Sequence, residues 1–354
     1  MDFLVTGGAG FIGSNIVEEL LKQGHTVRVI DNFSTGRREN LESVTGNQVL
    51  RTKNFDFVEG DIRNLDLLRS VMSGSRSSST STLTSSGPVD FVLHQAALPS
   101  VPRSIEDPAT THEVNATGTL NVLLAARDCG VKRVVYASSS SVYGDSEELP
   151  KHEGMAPNPL SPYAISKLAG EHYCRVFSRL FGLETVALRY FNIFGPRQDP
   201  KGEYAAVIPK FIAAIRAGRQ PTVFGDGEQS RDFTPVANAV AANIAACNVP
   251  LAGQVKAKAQ VESDQDLASN STSAFLLSNV AVGERYTLNF LVSEICRIMG
   301  KRVEPVYDKP RPGDVRHSQA SVALLTERVG IRRFTTFQAG LEQLVNSQTT
   351  NQKP

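Results

Sequence analysis

The fold of this chain is decided by the stretch Val5-Thr6-Gly7-Gly8-Ala9-Gly10-Phe11-Ile12-Gly13. An apolar run precedes this stretch and a helical pattern follows it. The first of the spaced glycines permits a tight turn, the second lets backbone N–H groups approach a pyrophosphate, and the third lets helix and strand pack closely. A pyrophosphate there lies at the positive end of the helix dipole. The pattern predicts a dinucleotide site that includes Gly7, Gly10, Phe11, Ile12 and Gly13.

Outward from this turn, short apolar runs alternate with helical patterns. The predicted strands are Phe3–Thr6, Thr26–Ile30, Phe55–Glu59, Val89–His94, Arg133–Ser138 and Thr185–Tyr190. Predicted helices between them include Gly13–Gln23, Pro108–Cys129 and Pro162–Phe181. Strands that alternate with helices form βαβ units, and continuous apolar runs are typical of buried parallel strands. We therefore predict an α/β fold, namely a Rossmann-type doubly wound parallel sheet with a smaller C-terminal α/β substrate-binding region.

The domain boundary is placed where the alternation of strands and helices loosens. Residues 1–190 are predicted to form the dinucleotide-binding domain, with a returning segment around 232–250, and residues 191–354 mainly form the substrate-binding region. Two polar segments, 73–87 and 251–273, interrupt the pattern. The first is rich in Ser and Thr and the second in Lys, Gln, Asp and Ser. Such segments bury little apolar surface, so both are predicted to be mobile insertions.

The composition narrows the class of protein. The 354 residues are 41% hydrophobic and 21% charged, which is typical of a globular protein with a sizeable core. A net charge of +1 gives no field that would attract nucleic acid or a membrane, so neither partner is expected. The four cysteines form no CxxC pair, which argues against a metal site and a disulfide framework. With no recognisable signal sequence, we predict a cytoplasmic protein.

The second predicted strand leads into Asp31. An acid at this place accepts hydrogen bonds from the adenosine ribose and repels a 2′-phosphate, which favours NAD over NADP. Arg37 and Arg38 lie close by in sequence and weaken this preference. The alternative is a loop acid that caps a turn. After the third strand, Asp61-Ile62 is predicted to hold the edge of the adenine.

A tyrosine and a lysine mark the candidate chemical centre. Tyr163 and Lys167 lie one turn apart on the same face of a predicted helix that Ser161-Pro162 begins. An ammonium group close to a phenol lowers the phenol pKa, so the pair predicts a tyrosinate base. A solvent-exposed Tyr beside a Lys is the alternative. The run of four serines from Ser138 favours the catalytic interpretation, because it ends a strand where the ligand crevice is expected.

Taken together, these motifs resemble the extended short-chain dehydrogenases/reductases of the NAD-dependent epimerase/dehydratase family. The similarity covers nearly the whole chain apart from the two insertions. Its matching segments are Thr6–Gly13, His94–Ala97, Asn115–Thr119, Ser138–Gly144, Tyr163–Lys167, Arg189–Asn192, Gly195–Gln198, Arg231–Phe233 and Arg311–Asp314.

The resemblance implies roles for individual residues. It assigns catalysis to Tyr163, Lys167 and Ser139. It extends the NAD site beyond the glycine turn to Asp31, Asn32, Ser34, Thr35, Gly36, Asp61, Ile62, Gln95, Ala96, Ala97, Asn115, Tyr163 and Lys167. It assigns contacts with a UDP-sugar to Ser100, Ser139, Ser140, Ser141, Tyr163, Asn192, Val207, Arg231, Arg311, Asp314 and Ser318.

The resemblance also narrows the reaction. Dehydratases of the family carry an Asp-Glu pair after the catalytic Ser or Thr, whereas this chain has Ser140 and Ser141 there, which cannot supply acid and base near neutral pH. C4 epimerisation of a UDP-hexose with bound NAD is therefore expected. The segment that ends at the small Ser318 resembles that of epimerases for N-acetylated UDP-hexosamines, which predicts UDP-GlcNAc and UDP-GalNAc as the substrate pair.

Alternatives remain on the same scaffold and outside it. A UDP-glucose/UDP-galactose 4-epimerase and a UDP-glucuronate epimerase or decarboxylase are the enzymatic ones. A non-enzymatic NAD-binding module is the other, although such modules typically lose the Tyr/Lys pair that this chain retains. The resemblance further implies a homodimer formed through the helices near Pro108–Cys129 and Pro162–Phe181.

Overall fold

A computed structural model describes residues 1–45, 51–52, 54–74, 87–199, 206–251, 274–310 and 315–350 of the chain. Arg311 and Asp314 lie outside the described residues, as does most of each of the two predicted insertions, 73–87 and 251–273. None of the described helices is both long enough and apolar enough to cross a membrane.

The described elements alternate as the sequence predicts. The strands are β1 Asp2–Thr6, β2 Thr26–Asp31, β3 Arg51–Thr52, β4 Phe55–Glu59, β5 Phe91–His94, β6 Arg133–Ser139, β7 Glu184–Tyr190, β8 Ile193–Phe194, β9 Thr222–Phe224, β10 Ser230–Arg231, β11 Thr234–Pro235, β12 Phe275–Val280, β13 Tyr286–Thr287 and β14 Val306–Asp308. The α-helices are α1 Phe11–Lys22, α2 Arg38–Thr45, α3 Leu65–Ser73, α4 Val101–Glu106, α5 Pro108–His112, α6 Gly118–Asp128, α7 Pro162–Phe181, α8 Val207–Arg216, α9 Val236–Ala246, α10 Leu288–Met299 and α11 Phe337–Thr350.

Eight strands form the main sheet, in the order β12-β7-β6-β5-β1-β2-β4-β3. All neighbours pair in parallel except the short edge strand β3, which runs antiparallel to β4. The strand order reverses between β1 and β5. In doubly wound sheets, ligands bind in the crevice at the carboxyl ends of the strands at this switch point. The predicted Rossmann-type fold is confirmed.

Helices cover both faces of the sheet. On one face, α1 and α9 pack with the apolar side chains of the central strands into a single buried cluster. On the other face, α3, α6 and α7 contribute to a second cluster that includes Leu68, Val122 and Phe177. Because both faces are covered, the strands carry nearly continuous apolar residues, as the sequence pattern indicated.

A smaller unit packs beside the carboxyl edge of the sheet. Its core is formed by α8, α10 and α11 around residues such as Phe211, Leu291 and Phe337. The chain does not divide as simply as predicted, however. Besides α9, which packs against α1, strand β12 returns to the main sheet and pairs with β7, although it was assigned to the substrate-binding region. The pairing of β12 with β7 was not predicted, because pairing between strands far apart in sequence leaves no local pattern.

The predicted helix Pro108–Cys129 is also more complex than expected. Between α5 and α6 the chain forms a π-helical turn over Glu113–Thr117. Short π-helical insertions often occur at functional sites, because they change the direction of a side chain. Here the turn contains Asn115, a predicted site residue, and directs its amide toward the loop that follows β5.

Candidate active site

The turn after β1 needs glycine for two separate reasons. Gly7 has a φ of +69°, and a Cβ there would lie 2.7 Å from the backbone N and Cα of Ala96. A Cβ on Gly13 would lie 2.2 Å from the carbonyl oxygen of Gly7, so helix α1 packs directly on the turn. Gly10 caps α1 without a side-chain hydrogen bond. The first turn of α1 therefore offers backbone N–H groups to an anion.

A cavity of about 220 Å³ opens at this turn. The residues predicted to bind the cofactor that line it are Gly7, Gly10, Phe11, Ile12, Gly13, Asp31, Asn32, Ser34, Thr35, Asp61, Ile62, Gln95, Ala96, Ala97, Tyr163 and Lys167. Its lining also includes residues to which sequence reasoning gave no cofactor role, namely Ile30, Gly60, Pro99, Val114, Ala137, Ser138 and Tyr190. Ser138 and Tyr190 lie within the matching segments, whereas the other five carry no side chain with a distinctive chemistry.

Asp31 ends β2 and faces the cavity. Its carboxylate accepts hydrogen bonds from the backbone N–H groups of Ala9 at 2.9 Å and Phe33 at 2.8 Å. Gly36 lies behind the carboxylate, because a Cβ there would come within 2.9 Å of both carboxylate oxygens. Burial raises the pKa of Asp31. The site thus provides a fixed acid beside the cofactor cavity, which fits ribose hydroxyls and disfavours a 2′-phosphate.

The nearby basic residues are already engaged by acids. Arg37 pairs with Asp199, and Arg38 contacts Glu59 at 3.4 Å. Because both arginines are paired with acids, they weaken the expected preference for NAD over NADP less than the sequence suggests.

Asp61, which also lines this cavity, accepts hydrogen bonds from Arg63 at 2.8 Å and from the side chain of Asn32 at 2.9 Å. The hydrogen bond from Arg63 lowers the pKa of Asp61.

Helix α7 carries the candidate catalytic pair. The hydroxyl of Ser161 caps the helix by accepting from the N–H of Ala164 at 3.1 Å. Tyr163 and Lys167 follow on one face, and both line the cofactor cavity. The Lys167 ammonium donates to the carbonyl oxygen of Ala137 at 2.9 Å, and burial lowers its pKa to about 8.

The electrostatics of the pair differ from the expectation. Burial raises the pKa of Tyr163, and a hydrogen bond with Ser139 offsets only part of this rise. The predicted lowering by Lys167 is not found, because the ammonium is directed to the strand carbonyl and not to the phenol. Within the described residues, the hydroxyl of Ser139 is thus the group that favours the phenolate of Tyr163.

The serine run after β6 divides into different roles. Ser138 is buried and donates to Glu171 at 2.5 Å, so its hydroxyl is occupied. Ser139 accepts from the N–H of Ser141 at 3.2 Å and begins the 3₁₀ turn Ser140–Tyr143. The buried hydroxyl oxygen of Ser141 has no hydrogen-bond partner among the described residues. This oxygen is shielded from solvent, and Ser139, Ser140 and Ser141 are not among the residues that line the cavity at the glycine turn.

The loop after β5 is held from below by Asn115. Its side-chain amide accepts from the N–H of Leu98 at 2.8 Å and donates to the Leu98 carbonyl at 3.1 Å. It does not line the cavity, so it shapes the site from behind the loop. Ser100 follows with a φ of +100° and caps α4. Asn115 on the π-helical turn and Ser100 at the start of α4 therefore both hold this loop in place.

Two buried networks support the neighbouring strand ends. Neutral His94 contacts Thr6 at 2.7 Å and Thr119 at 3.0 Å, and burial lowers its pKa to about 3. The side chains of Gln95, Tyr190 and Asn243 form a second network, in which Tyr190 donates to Gln95 at 3.1 Å.

A second and larger cavity of about 820 Å³ lies beside the C-terminal unit. Of the residues predicted to contact the substrate, Asn192, Val207 and Arg231 line it. Lys210 and Arg219 also line it, whereas Asp308 is the one acid among its described lining residues. The excess of positive charge suits a phosphate-containing ligand.

The segment around Arg231 connects the larger cavity to the rest of the predicted substrate site. Arg231 donates to the carbonyls of Ser230 at 2.9 Å and Arg316 at 3.2 Å. Ser318 is held next to it, because its N–H donates to the Ser230 carbonyl at 3.0 Å. Ser318 lies outside the lining of this cavity, while Arg311 and Asp314 fall outside the described residues.

Asp232 is a structural residue that sequence reasoning named only as part of a motif. It is fully buried and accepts hydrogen bonds from the N–H groups of Val282, Gly283 and Ala320 at 3.0 to 3.2 Å. Its own carbonyl accepts from the side chain of Asn192 at 3.2 Å. Burial raises the pKa of Asp232 to about 7. These N–H donors lie far from Asp232 in sequence, so its structural role was not predictable from local patterns.

Comparisons with known proteins agree with this geometry. Residues 3–258 match the NAD dependent epimerase/dehydratase family. The UDP-glucose 4-epimerase of Mycolicibacterium smegmatis is 36% identical over 346 residues, which is 98% of this chain and 97% of that protein. The structure of UDP-N-acetylglucosamine 4-epimerase from Methanobrevibacter ruminantium, in complex with UDP-N-acetylmuramic acid, superposes with a TM-score of 0.82 at 34% identity, covering 99% of this chain and 98% of that one. UDP-glucose 4-epimerase from Thermus thermophilus, in complex with NAD, has a TM-score of 0.78 at 35% identity and 98% coverage of both chains.

Proposed function

Because the chain belongs to the NAD dependent epimerase/dehydratase family, we propose that it inverts the configuration at C4 of a UDP-hexose, with UDP-GlcNAc and UDP-GalNAc as its preferred pair. One observation carries the proposal. Tyr163 and Lys167 line the same cavity as the glycine turn and Asp31. A base is thereby held where a dinucleotide would bind, as oxidation and reduction of a sugar carbon require.

The described residues fit NAD as the cofactor. The glycine cradle would be filled by any Cβ, the first turn of α1 is uncapped by side chains, and Asp31 faces the ribose end. NAD, when bound, accepts a hydride from a carbon atom and returns it. The residues Lys167 and Tyr163, at the other end of the cavity, are those that would hold its nicotinamide riboside.

The protein itself supplies the proton transfers. Tyr163 takes the proton of the sugar 4-hydroxyl and later returns it. Ser139, whose hydrogen bond opposes the rise in the pKa of Tyr163, stabilises the phenolate form and would contact the same sugar hydroxyl.

The larger cavity is proposed to hold the UDP moiety. Its volume of about 820 Å³ is in the range of small-molecule sites. Arginine side chains bind phosphate oxygens through paired, charge-assisted hydrogen bonds, so Arg231 and Arg219 are suited to a diphosphate. Asn192, which has a φ of +38°, lies at the mouth of this cavity and would contact the adjoining groups.

The choice of hexose rests on small side chains. Ser140 and Ser141 replace the acid and base that dehydration requires, and Ser318 leaves space for an N-acetyl group. UDP-glucose and UDP-galactose are the alternative pair, since the relative from M. smegmatis bears the name UDP-glucose 4-epimerase. UDP-glucuronate is a third candidate, since a structure at 28% identity is of UDP-glucuronic acid 4-epimerase from Bacillus cereus, in complex with UDP-glucuronic acid and NAD.

A substrate panel tests the proposal. Purified protein is incubated with UDP-GlcNAc, UDP-glucose or UDP-glucuronate, each without added NAD, and products are separated chromatographically. We expect UDP-GalNAc from UDP-GlcNAc at a higher kcat/KM than for the other two sugars. Conversion of UDP-glucuronate alone would contradict the choice of hexose, and no conversion of any UDP-sugar, with or without NAD, would refute the proposed function.

We also propose that the enzyme is a homodimer and resides in the cytoplasm. The proposed interface is formed by the helices near Pro108–Cys129 and Pro162–Phe181. Exposed apolar side chains support it for α7, where they include Ile165, Val176 and Leu180, whereas no exposed large apolar side chain is found among the described residues 108–129. All four cysteines are free thiols, which fits a reducing compartment. Sedimentation of a monomer at micromolar concentration would refute the dimer, and recovery from an oxidising compartment would refute the location.

A further inference from the structure

Three neighbouring strands place polar side chains in one row at the carboxyl edge of the sheet. Strand register sets Ser138 of β6 opposite Arg189 of β7, and Arg189 opposite Asn279 of β12. All three side chains are buried, with 3%, 2% and 0% of their surface exposed. Ser138 of this row directly precedes Ser139, so the row lies directly under the proposed catalytic segment, Ser139–Tyr143.

Helix α7 reaches this row through Glu171. Arg189 donates to the two carboxylate oxygens of Glu171 at 2.8 and 2.7 Å, and Ser138 donates to one of them at 2.5 Å. Glu171 follows Lys167 by one helical turn and Tyr163 by two, on the same face of α7. The forked pair therefore fixes the helix that carries the base relative to β6 and β7.

Arg189 also contacts the other end of the catalytic segment. Its guanidinium carbon lies 4.5 Å from the centre of the Tyr143 ring, and Tyr143 ends the turn that contains Ser140 and Ser141. The Tyr143 hydroxyl donates to Asn279 at 2.7 Å. Arg189 thus holds Ser138 through Glu171, and it contacts Tyr143 directly.

We propose that Arg189 and Glu171 are positioning residues for catalysis, which set the distance between Tyr163 on α7 and Ser139 on β6. This inference rests on the proposed function. A buried ion pair adds little net stability over well-packed apolar residues, so a structural role alone does not account for it. A shift of about 1 Å in a catalytic group can cost about a hundredfold in rate.

The test replaces the pair without leaving a lone buried charge. In the double variant Glu171→Met/Arg189→Met both charges are removed and the volume is largely retained, so the protein is expected to fold. We expect kcat to fall about tenfold or more, with KM for the UDP-sugar within about threefold and with NAD still bound. Arg189→Lys, which keeps the charge but cannot form the fork, should lower kcat in the same direction.

The chain offers a matched control on the same two strands. Arg133 of β6 and Glu184 of β7 form another Arg–Glu pair at the amino ends of these strands, in which two guanidinium nitrogens donate to one carboxylate oxygen at 2.9 and 2.6 Å. Arg133→Met/Glu184→Met removes the same chemistry far from the serine run. This variant should keep kcat within about twofold of wild type, because it leaves the catalytic groups in place.

Two readouts separate the outcomes. Wild-type kcat in the folded Glu171→Met/Arg189→Met variant would overturn the inference, whereas the split between kcat and KM would support it. A crystal structure of that variant decides the matter without any assay. Displacement of Ser139 relative to Tyr163 supports the positioning role, and an unchanged arrangement overturns it. Failure of the wild-type enzyme to convert any UDP-sugar would instead refute the proposed function and leave the structural readout intact.

Discussion

The ammonium nitrogen of Lys167 lies 5.9 Å from the centre of the Tyr163 ring and donates to the Ala137 carbonyl at 2.9 Å. The two residues share a helix face, yet they do not form a direct ion pair. Lys167 is therefore held by strand β6, while Ser139 is the group that bonds to the phenol. This division of roles has consequences that can be measured.

Removing the phenol hydroxyl should abolish proton transfer while leaving the cofactor site intact. We expect Tyr163→Phe to lower kcat by about a hundred- to ten-thousandfold, the contribution of a positioned acid–base group. Bound NAD, measured after denaturation, should stay near the wild-type content. Tyr173→Phe on the same helix is the control, because Tyr173 packs in the core below α7 and should leave turnover unchanged. A Tyr163→Phe enzyme with full turnover would contradict the assigned base.

The protonation of Lys167 predicts an alkaline limit to activity. Burial lowers the pKa of this amine to about 8, so the ammonium is present below that pH and is lost above it. Lys167 lines the cavity proposed for NAD, where it would hold the nicotinamide riboside, so loss of its charge should weaken that contact and kcat should decline above about pH 8. Lys167→Arg stays charged throughout and should remove this decline, although its rate at pH 7 is expected to be lower. The same alkaline decline in Lys167→Arg, measured beside the control Lys132→Arg, would exclude Lys167 as its source.

Cofactor choice should depend on the charge of Asp31. Asp31→Asn keeps the shape but removes the negative charge beside the ribose. We expect the preference for NAD over NADP, measured by dissociation constants, to fall about tenfold, mainly through tighter NADP binding. Glu59→Gln is a suitable control, because this exposed acid lies at the end of neighbouring strand β4. An unaltered NAD/NADP ratio in Asp31→Asn would show that another group sets the preference.

The glycine turn allows steric exclusion to be separated from backbone strain. Gly7 and Gly24 both have positive φ angles, +69° and +77°, but only Gly7 faces a close backbone neighbour, while a Cβ on Gly24 meets nothing within 4 Å. Gly24→Ala should therefore lower the free energy of unfolding by about 1 kcal/mol and keep NAD binding. Gly7→Ala should lose NAD binding. Equal NAD affinity in the two variants would contradict the close approach at Ala96.

Local patterns were sufficient for the parts of the protein where chemistry and sequence are contiguous. The glycine turn, Asp31 and the Tyr163/Lys167 pair each lie on a short segment whose neighbours reveal its structure. Helix α7 has the bounds that the sequence predicts, because Ser161-Pro162 begins it and Gly182 ends it in a left-handed conformation. These features place the cofactor end of the site.

The remainder depends on contacts between distant segments. Arg189 appeared only within a family motif, and nothing local links it to Glu171 or to Asn279 of a strand that follows a long polar segment. Asp232 is similar, since its three N–H donors come from two other segments. The prediction that Lys167 acts on the phenol was wrong for a related reason. Its ammonium donates to the carbonyl of Ala137 on β6, which is distant in sequence.

The central claim is that the hydrogen at C4 of the sugar leaves and returns within one closed site, while Tyr163 handles the hydroxyl proton. Epimerisation of UDP-GlcNAc carrying deuterium at C4, followed by mass spectrometry and NMR of the UDP-GalNAc formed, tests it most directly. The account predicts that the product keeps its deuterium at C4 with the configuration inverted. Replacement of that deuterium by solvent hydrogen would contradict it.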